Sequence, residues 1–165
     1  MTGQLVLIVV RERELYSKSE FRVLVQWKEN FMPEKPENTI FILLIEDNED
    51  HAMITIDFLK ENNIGDRIFH CENGQIAIDY LSKCIDEDIP DLILLDIKMP
   101  LKNGYEVLEF IRSQNNILDL PVVILSTTQN EIEVKKAYKL GANSFVMKPL
   151  EFSEFNQVIK NLNFY

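Results

Sequence analysis

Four short apolar runs in this chain each end on side chains that can bind metal ions or phosphoryl groups. These side chains are Glu46 and Asp47, Asp96, Ser126 and Thr127, and Lys148. An apolar run of this length, followed by turn-forming residues, is typical of a strand buried on both faces of a parallel sheet. The carboxyl ends of parallel strands lie along one edge of the sheet, where ligands bind in open α/β folds. We therefore expect these side chains to converge on one pocket.

The residue types suit a particular chemistry. The carboxylates of Glu46, Asp47 and Asp96 would repel one another, and a hard divalent cation such as Mg²⁺ relieves that repulsion through oxygen ligands. The Lys148 amine offers a point charge and the Ser126 hydroxyl a directional donor, and both suit an incoming phosphoryl group. Aspartate can also accept a phosphoryl group covalently. The pattern indicates a magnesium-dependent phosphoryl site.

Each of these residues has a simpler explanation when it is considered alone. Asp96 and the Glu46-Asp47 pair could cap the helices that follow them or favour their N-termini. Ser126-Thr127 could also be a cap, and a lysine at a strand end is usually exposed to solvent. Capping does not explain why all four groups stand at strand ends in this order, so the joint pattern favours a common pocket.

Strand-like and helix-like segments alternate five times after Thr39. The predicted strands are residues 40–45, 67–71, 91–96, 121–125 and 144–147. The predicted helices are residues 49–62, 75–84, 105–113, 131–140 and 153–162, the fourth closed by Gly141 at its C′ position. Such alternation with short connections predicts parallel βα units around one sheet, with helices on both faces.

Composition limits the classes of protein that the sequence fits. The 165 residues contain no apolar run of the roughly 20 residues that span a bilayer, and the N-terminus makes a poor signal peptide. Cys71 and Cys84 lack metal-binding spacing, which favours reduced thiols in a cytoplasmic protein. The net charge of −10 falls entirely within residues 39–165, because acidic and basic side chains balance in residues 1–38. So acidic a domain would repel nucleic acid phosphates, and no nucleic acid or membrane partner is expected.

Residues 1–38 form a separate extension and linker in this interpretation. Leu5 to Val10 and Phe21 to Trp27 are β-prone runs that could form a hairpin, although an isolated hairpin is marginal in water. Pro33 to Thr39 reads as a linker. Because Met32 precedes that linker, residues 1–31 could instead be an artefact of an upstream start.

The segment from about Ile40 to Leu162 resembles the receiver domain of two-component response regulators. The resemblance rests on the Glu46-Asp47 pair and on the blocks LLDIKMPLKNG, LPVVILST and GANSFVMKP. It looks closest to stand-alone receivers that partner phytochrome-type kinases, which have a similar strand end and an aromatic C-terminus, here Phe164-Tyr165. The resemblance implies a receiver domain at residues 39–165 with an α/β, flavodoxin-like, doubly wound fold. Five parallel strands would lie in the order 2-1-3-4-5.

The resemblance also implies a role for each site residue. The catalytic set would be Asp96 as phosphoacceptor, with Lys148, Ser126 and Thr127. The ligands of Mg²⁺ would be Glu46, Asp47, Asp96 and the backbone carbonyl of Lys98. The conformational switch would involve Ser126 and Phe145. Several positions depart from the common family pattern: Glu46 replaces Asp, Ser126 replaces Thr, Thr127 narrows access to the site, and Phe145 lacks the hydroxyl of Tyr.

The function implied is that of a single-domain response regulator rather than an enzyme acting on other substrates. A sensor histidine kinase or a phosphotransfer protein would supply the phosphoryl group, and the output would be contact with a downstream protein, without a DNA-binding domain. A homodimer would use the face formed by the fourth helix, fifth strand and fifth helix of the domain. Its candidate apolar anchors, each of which could equally belong to the core, are Tyr138, Phe152, Phe155 and Phe164.

Two alternatives come from other classes of protein. A pseudo-receiver would act only as a protein-binding module, but degenerate receivers usually lose part of the acidic pair, Asp96 or Lys148, and all are present here. A flavodoxin would share the architecture, but it needs a phosphate-binding loop after the first strand. The acidic residues 46–50 at that position would repel a phosphate.

Overall fold

The structure is a computed structural model that describes residues 7–12, 20–25, 40–84, 88–128 and 130–162. The predicted linker at residues 33–39 and the aromatic pair Phe164-Tyr165 lie outside these ranges. In chain order the elements are β1 (Leu7–Glu12), β2 (Glu20–Val25), β3 (Phe41–Ile45), α1 (Glu49–Glu61), β4 (Arg67–Cys71), α2 (Gly74–Leu81), β5 (Leu92–Asp96), α3 (Gly104–Ser113), β6 (Val122–Ser126), α4 (Glu131–Lys139), β7 (Ser144–Met147) and α5 (Phe152–Asn161).

Five parallel strands form the centre of the sheet in the order β4-β3-β5-β6-β7. This is the predicted order 2-1-3-4-5 and confirms the flavodoxin-like fold. Every residue of β3, β5 and β6 is buried, because these strands are covered on both faces. That burial explains why their sequences are nearly continuous apolar runs rather than alternating ones.

The sheet has two further strands, which the five-stranded prediction did not include. β1 pairs antiparallel with β2, and β1 also pairs antiparallel with β4, with Ile8 opposite Phe69 and Val10 opposite Arg67. β2 and β1 therefore extend the sheet beyond β4, to seven strands in all. The division of the chain into an extension at residues 1–38 and a receiver domain stays a prediction.

Two layers of apolar side chains cover the two faces of the sheet. One layer packs α2, α3 and α4 against the sheet, and the other packs α1 and α5. Phe155 is fully buried in the second layer, where its ring meets Phe58 edge-on at 5.5 Å between centroids. Of the two interpretations of Phe155, an apolar anchor of an exposed face or a core residue, this burial supports the core residue and excludes the anchor. Tyr138 and Phe152 are about half exposed.

Asparagine caps place four of the helix N-termini beside the carboxyl edge of the sheet. Asn48, Asn73, Asn103 and Asn130 each accept a hydrogen bond from a backbone N–H in the first turn of the helix that follows. At the other end of α4, Gly141 has φ of +95° and its N–H donates to Tyr138 O, while Ala142 N donates to Ala137 O. This is a Schellman motif, and it confirms Gly141 at C′. In the described ranges no helix is long and apolar enough to cross a membrane.

Candidate functional site

The predicted site residues stand at the tips of four neighbouring strands. Asp96 is the last residue of β5 and Ser126 the last of β6, while Glu46 and Lys148 follow β3 and β7 directly. The ladder continues past the tips, because Glu46 N donates to Cys71 O at 3.1 Å and Lys148 N donates to Ser126 O at 2.8 Å. The tips are thus fixed by sheet hydrogen bonds rather than carried on free loops.

Three carboxylates share this edge of the sheet. Glu46, Asp47 and Asp96 each place a carboxylate oxygen within 4.8 Å of the others. Glu46 and Asp96 are buried, whereas Asp47 is exposed at the lip of the pocket. Hard oxygen donors at this spacing suit a divalent cation such as Mg²⁺ or Mn²⁺, which keeps several water ligands. The residues present therefore fit the metal that the sequence implied.

Lys148 places its ammonium group among these acids. Its Nζ donates to Asp96 Oδ1 at 2.6 Å and to Glu46 Oε2 as well, and its side chain is only 8% exposed. One ammonium group contacts two of the three carboxylates, so negative charge remains in excess at this cluster. A bound divalent cation would offset that excess, and the carboxylate oxygens present are the ligands that such a cation prefers.

The second oxygen of Asp96 is held by the backbone. Lys98 N donates to Asp96 Oδ2 at 2.7 Å, which fixes the plane of the carboxylate. Gly104, the first residue of α3, packs against the backbone carbonyl of Asp96, and its N donates to Ile97 O at 3.0 Å. A Cβ at residue 104 would lie 2.3 Å from Asp96 O, so any other side chain would displace the loop. The structure places the N–H of Lys98 against Asp96, and its carbonyl as a metal ligand stays a prediction.

The hydroxyl residues separate into a buried and an exposed one. Ser126 is buried at the tip of β6, and its Oγ accepts a hydrogen bond from Thr128 N at 3.3 Å. Thr127 is exposed beside it. Phe145, on β7, is half-buried and packs against the layer under α3 and α4. Of the predicted set, Lys148 contacts Glu46 and Asp96 directly, and Asp47 lies near both of these acids.

Two histidines near the acids were missed by the sequence analysis. His70 Nε2 lies 2.8 Å from the backbone carbonyl of Glu46, and His51 Nδ1 lies 3.6 Å from Glu46 Oε1. Their positions in the sequence could have predicted that they lie near the acidic pair. His70 is the penultimate residue of the strand next to β3, and His51 is in the first turn of α1, just after the acidic pair.

An ion pair at the mouth of the pocket was also missed. Lys98 Nζ lies 3.7 Å from Glu133 Oε1, on α4. Close by, Tyr105 OH donates to Glu133 O at 3.4 Å. Burial raises the pKa of Tyr105, and the Glu133 charge adds to that rise. The Tyr105 hydrogen bond therefore joins α3 to α4 beside the loop that follows Asp96.

The two cysteines take no part in this chemistry. Both are buried free thiols. Burial raises the pKa of Cys71, and it raises that of Cys84 to about 11. Neither thiol is a thiolate nucleophile near neutral pH.

Comparison with known proteins agrees with this geometry. A family model of the response regulator receiver domain matches residues 42–160, which include all the strand-tip residues. Among curated proteins, the probable methanogenesis regulatory protein FilR2 of Methanothrix harundinacea is 31% identical over 131 residues. That alignment covers 78% of this chain and 84% of FilR2.

Solved structures give the same result. The bacteriophytochrome response regulator RtBRR is 36% identical, with a TM-score of 0.67 over 77% of this chain and 80% of its own. The Mn²⁺-bound form of the response regulator Rcp1 is 28% identical, with a TM-score of 0.61 over 75% of this chain and 91% of its own. With its five parallel strands in receiver order, its acidic strand tips and the match across residues 42–160, this chain belongs to the response regulator receiver domain family.

Proposed function

We propose that this protein is a signalling switch that accepts a phosphoryl group on Asp96 and then changes its protein-binding surface. The observation that carries the proposal is the position of Asp96. Its carboxylate is buried at a strand tip, with Lys148 Nζ 2.6 Å from Oδ1 and the Glu46 and Asp47 oxygens nearby. A phosphoacceptor needs this combination of a fixed nucleophilic oxygen and positive charge to meet the arriving group.

In the proposed transfer, an Asp96 carboxylate oxygen forms a bond to phosphorus. The bond between phosphorus and the donor breaks, and its electron pair leaves with the donor. Lys98 N holds Oδ2, so the carboxylate is oriented before the donor arrives. The Lys148 ammonium neutralises a phosphoryl oxygen, and the Ser126 hydroxyl donates to another. Thr127, exposed at the same tip, limits access to the group.

The acids are proposed to hold Mg²⁺. Glu46, Asp47 and Asp96 would supply carboxylate oxygens and Lys98 its backbone carbonyl. When bound, the ion neutralises charge that develops on the transferred group. Glu46 contacts Lys148 and accepts a hydrogen bond from Asn48 N at 3.3 Å, so it would reach the ion through water or by turning toward it.

The proposed switch uses Ser126 and Phe145. When Ser126 moves toward a phosphoryl oxygen, the space beside β6 changes and the half-buried Phe145 ring turns inward. The face formed by α4, β7 and α5 then presents a different surface to a downstream protein or to a second copy. The half-exposed rings of Tyr138 and Phe152 support that choice of face. A histidine kinase or a phosphotransfer protein is the proposed donor.

Incubation with acetyl phosphate and Mg²⁺, followed by intact mass measurement, tests the proposal. The protein should gain the mass of one phosphoryl group, and Asp96→Asn should gain none. A matched control is Asp79→Asn, which removes an exposed carboxylate on α2 and should be labelled normally. Equal labelling of Asp96→Asn and the unaltered protein would refute Asp96 as the acceptor.

A further inference from the structure

Glu133, on α4, places its carboxylate beside the loop that follows Asp96. Its Oε1 lies 3.7 Å from Lys98 Nζ, and Lys98 stands two residues after Asp96. Because Lys98 N donates to Asp96 Oδ2, the backbone of Lys98 is fixed at the pocket while its amine is directed to α4. The Lys98 side chain is 63% exposed, so its amine is free to reorient if its partner changes.

The backbone of Glu133 is anchored to α3, and its side chain is less exposed than that of Lys98. Its backbone carbonyl accepts the Tyr105 hydroxyl, and the ammonium group of Lys136 lies 4.0 Å from the centre of the Tyr105 ring. Its side chain is 25% exposed, and Oε2 is buried without a hydrogen bond among the described residues. Glu133 is therefore the more buried member of the ion pair, and Lys98 is the more exposed one.

Glu131, on the same turn of α4, provides an internal comparison. It pairs with Lys135 at 3.0 Å along the helix, and its side chain is 84% exposed. Glu131 and Glu133 carry the same charge on the same helix, but Glu133 makes its ion pair with the loop that follows Asp96. A substitution of Glu133 is therefore expected to affect the Asp96 pocket, whereas a substitution of Glu131 is not.

We propose that Glu133 is a positioning residue that holds the Lys98 amine away from the pocket and thereby slows phosphoryl entry from small anionic donors. This inference rests on the proposed function. An arriving dianionic donor is attracted by an ammonium group at the pocket mouth and repelled by a carboxylate there. While Lys98 is paired with Glu133, the attraction of the donor to the amine is largely offset by its repulsion from the carboxylate.

The reaction affected is transfer from acetyl phosphate to Asp96. The bond between phosphorus and the Asp96 oxygen forms, the bond between phosphorus and the acetyl oxygen breaks, and acetate leaves with the electron pair. Neither the Glu133 carboxylate nor the Lys98 amine forms or breaks a bond in this step. Their effect is expected on the encounter of the donor with the pocket, and hence on its apparent affinity rather than on the transfer step.

The test is a double-mutant cycle that measures phosphorylation by acetyl phosphate over a range of donor and salt concentrations. At subsaturating donor and low salt, Glu133→Gln should raise the rate of phosphorylation by about threefold. This factor corresponds to the free energy that a partly exposed ion pair contributes. The rate at saturating donor should change little, and the gain should shrink at high salt because the interaction is screened. In the Lys98→Met background, Glu133→Gln should give a smaller gain than in the unaltered protein, because it then relieves only the repulsion by the carboxylate and releases no amine.

Glu131→Gln is the matched control and should leave the rate unchanged. Glu133→Asp, which retracts the carboxylate, gives a second variant if Glu133→Gln folds poorly. An unchanged rate in a folded Glu133 variant, or an equal gain in Glu131→Gln, overturns the inference and leaves Asp96 phosphorylation intact. If the unaltered protein takes up no phosphoryl group, the proposed function fails and the inference fails with it.

Discussion

Lys148 and Arg112 are cations at opposite edges of the central sheet, and they differ in what surrounds the charge. At the carboxyl edge, Lys148 Nζ contacts the acids Glu46 and Asp96. At the amino edge, the guanidinium of Arg112, at the end of α3, donates to neutral oxygen atoms. Its acceptors are Gly141 O, Leu118 O, Leu120 O and Asn143 Oδ1, at 2.7–3.0 Å.

The difference indicates a structural role for the Arg112 cluster and agrees with the chemical role proposed for the Lys148 cluster. Neutral carbonyl oxygens satisfy the Arg112 donors without leaving excess charge, and they join α3 to the loops that precede β6 and β7. The Lys148 cluster keeps more carboxylates than the cation contacts, an arrangement that costs stability and is typical of sites under functional constraint. Substitutions at the amino edge should therefore damage stability, and those at the carboxyl edge should damage chemistry.

The largest effect on stability is expected from Arg112→Met. It removes all the guanidinium hydrogen bonds and should lower the free energy of unfolding by about 2–4 kcal/mol, measured by urea denaturation. The protein that remains folded should still take up the phosphoryl group from acetyl phosphate. Lys139→Met, an exposed change at the end of α4, is the control. Loss of phosphorylation with unchanged stability would contradict the division between the edges.

A pair of glycine substitutions sharpens the same comparison. Gly104→Ala puts a Cβ 2.3 Å from Asp96 O, and it should lower stability by about 1–3 kcal/mol and also sharply reduce phosphorylation. Gly141→Ala should cost about 1–2 kcal/mol through its left-handed backbone but leave phosphorylation of the folded protein intact. Denaturation and acetyl phosphate assays on both variants give the comparison. Equal effects on phosphorylation would count against it.

Removing one of the repelling acids should stabilise the protein. Asp96→Asn should raise the free energy of unfolding by about 1 kcal/mol in buffer containing a chelator, because fewer like charges then share the edge. Adding Mg²⁺ should stabilise the unaltered protein more than this variant, as mass action requires of an ion held partly by Asp96. Melting curves with and without Mg²⁺ measure both effects. A destabilised Asp96→Asn in chelator would mean that the acids do not repel one another strongly.

The smallest expected effect is a dependence of stability on pH, and it comes from Cys84 rather than from either edge of the sheet. The pKa of Cys84 rises from 9.0 to about 11 on burial, so the folded state holds its proton more tightly than the unfolded state. The stability contributed by this thiol is complete below pH 9 and should fall by about 1 kcal/mol as the pH rises toward 11. Cys84→Ala should make this fall smaller, and Cys71, whose pKa burial also raises, should account for part of the loss that remains. An unchanged slope in that variant would assign the alkaline loss to other groups.

Much of the carboxyl edge could be predicted because local sequence and topology agree there. Each of these buried strands ends at, or directly before, a charged or hydroxyl residue. Parallel pairing alone is then enough to bring the strand ends together. Glu46, Asp96, Ser126 and Lys148 were found in this way. Thr127 was grouped with them, but the alternation of side chains beyond the strand end leaves it exposed.

The remaining features depend on contacts that sequence spacing does not encode. Arg112 meets Gly141, 29 residues away, through a backbone carbonyl, and any residue type supplies such an acceptor. The Lys98–Glu133 pair depends on how α4 lies beside α3, and helix periodicity does not determine that placement. The pairing of β1 with β4 likewise depends on which sheet edge the extension meets.

The most direct test of the central claim compares phosphorylation with and without a divalent cation. The protein is incubated with acetyl phosphate in Mg²⁺ or in chelator, and the modified residue is located by peptide mass spectrometry. The charge excess at the carboxyl edge predicts rapid modification of Asp96 in Mg²⁺, little in chelator, and restoration when Mn²⁺ is added. Modification at another residue, or equal modification of Asp96 in chelator, would contradict the claim that these acids form a cation-dependent phosphoryl site.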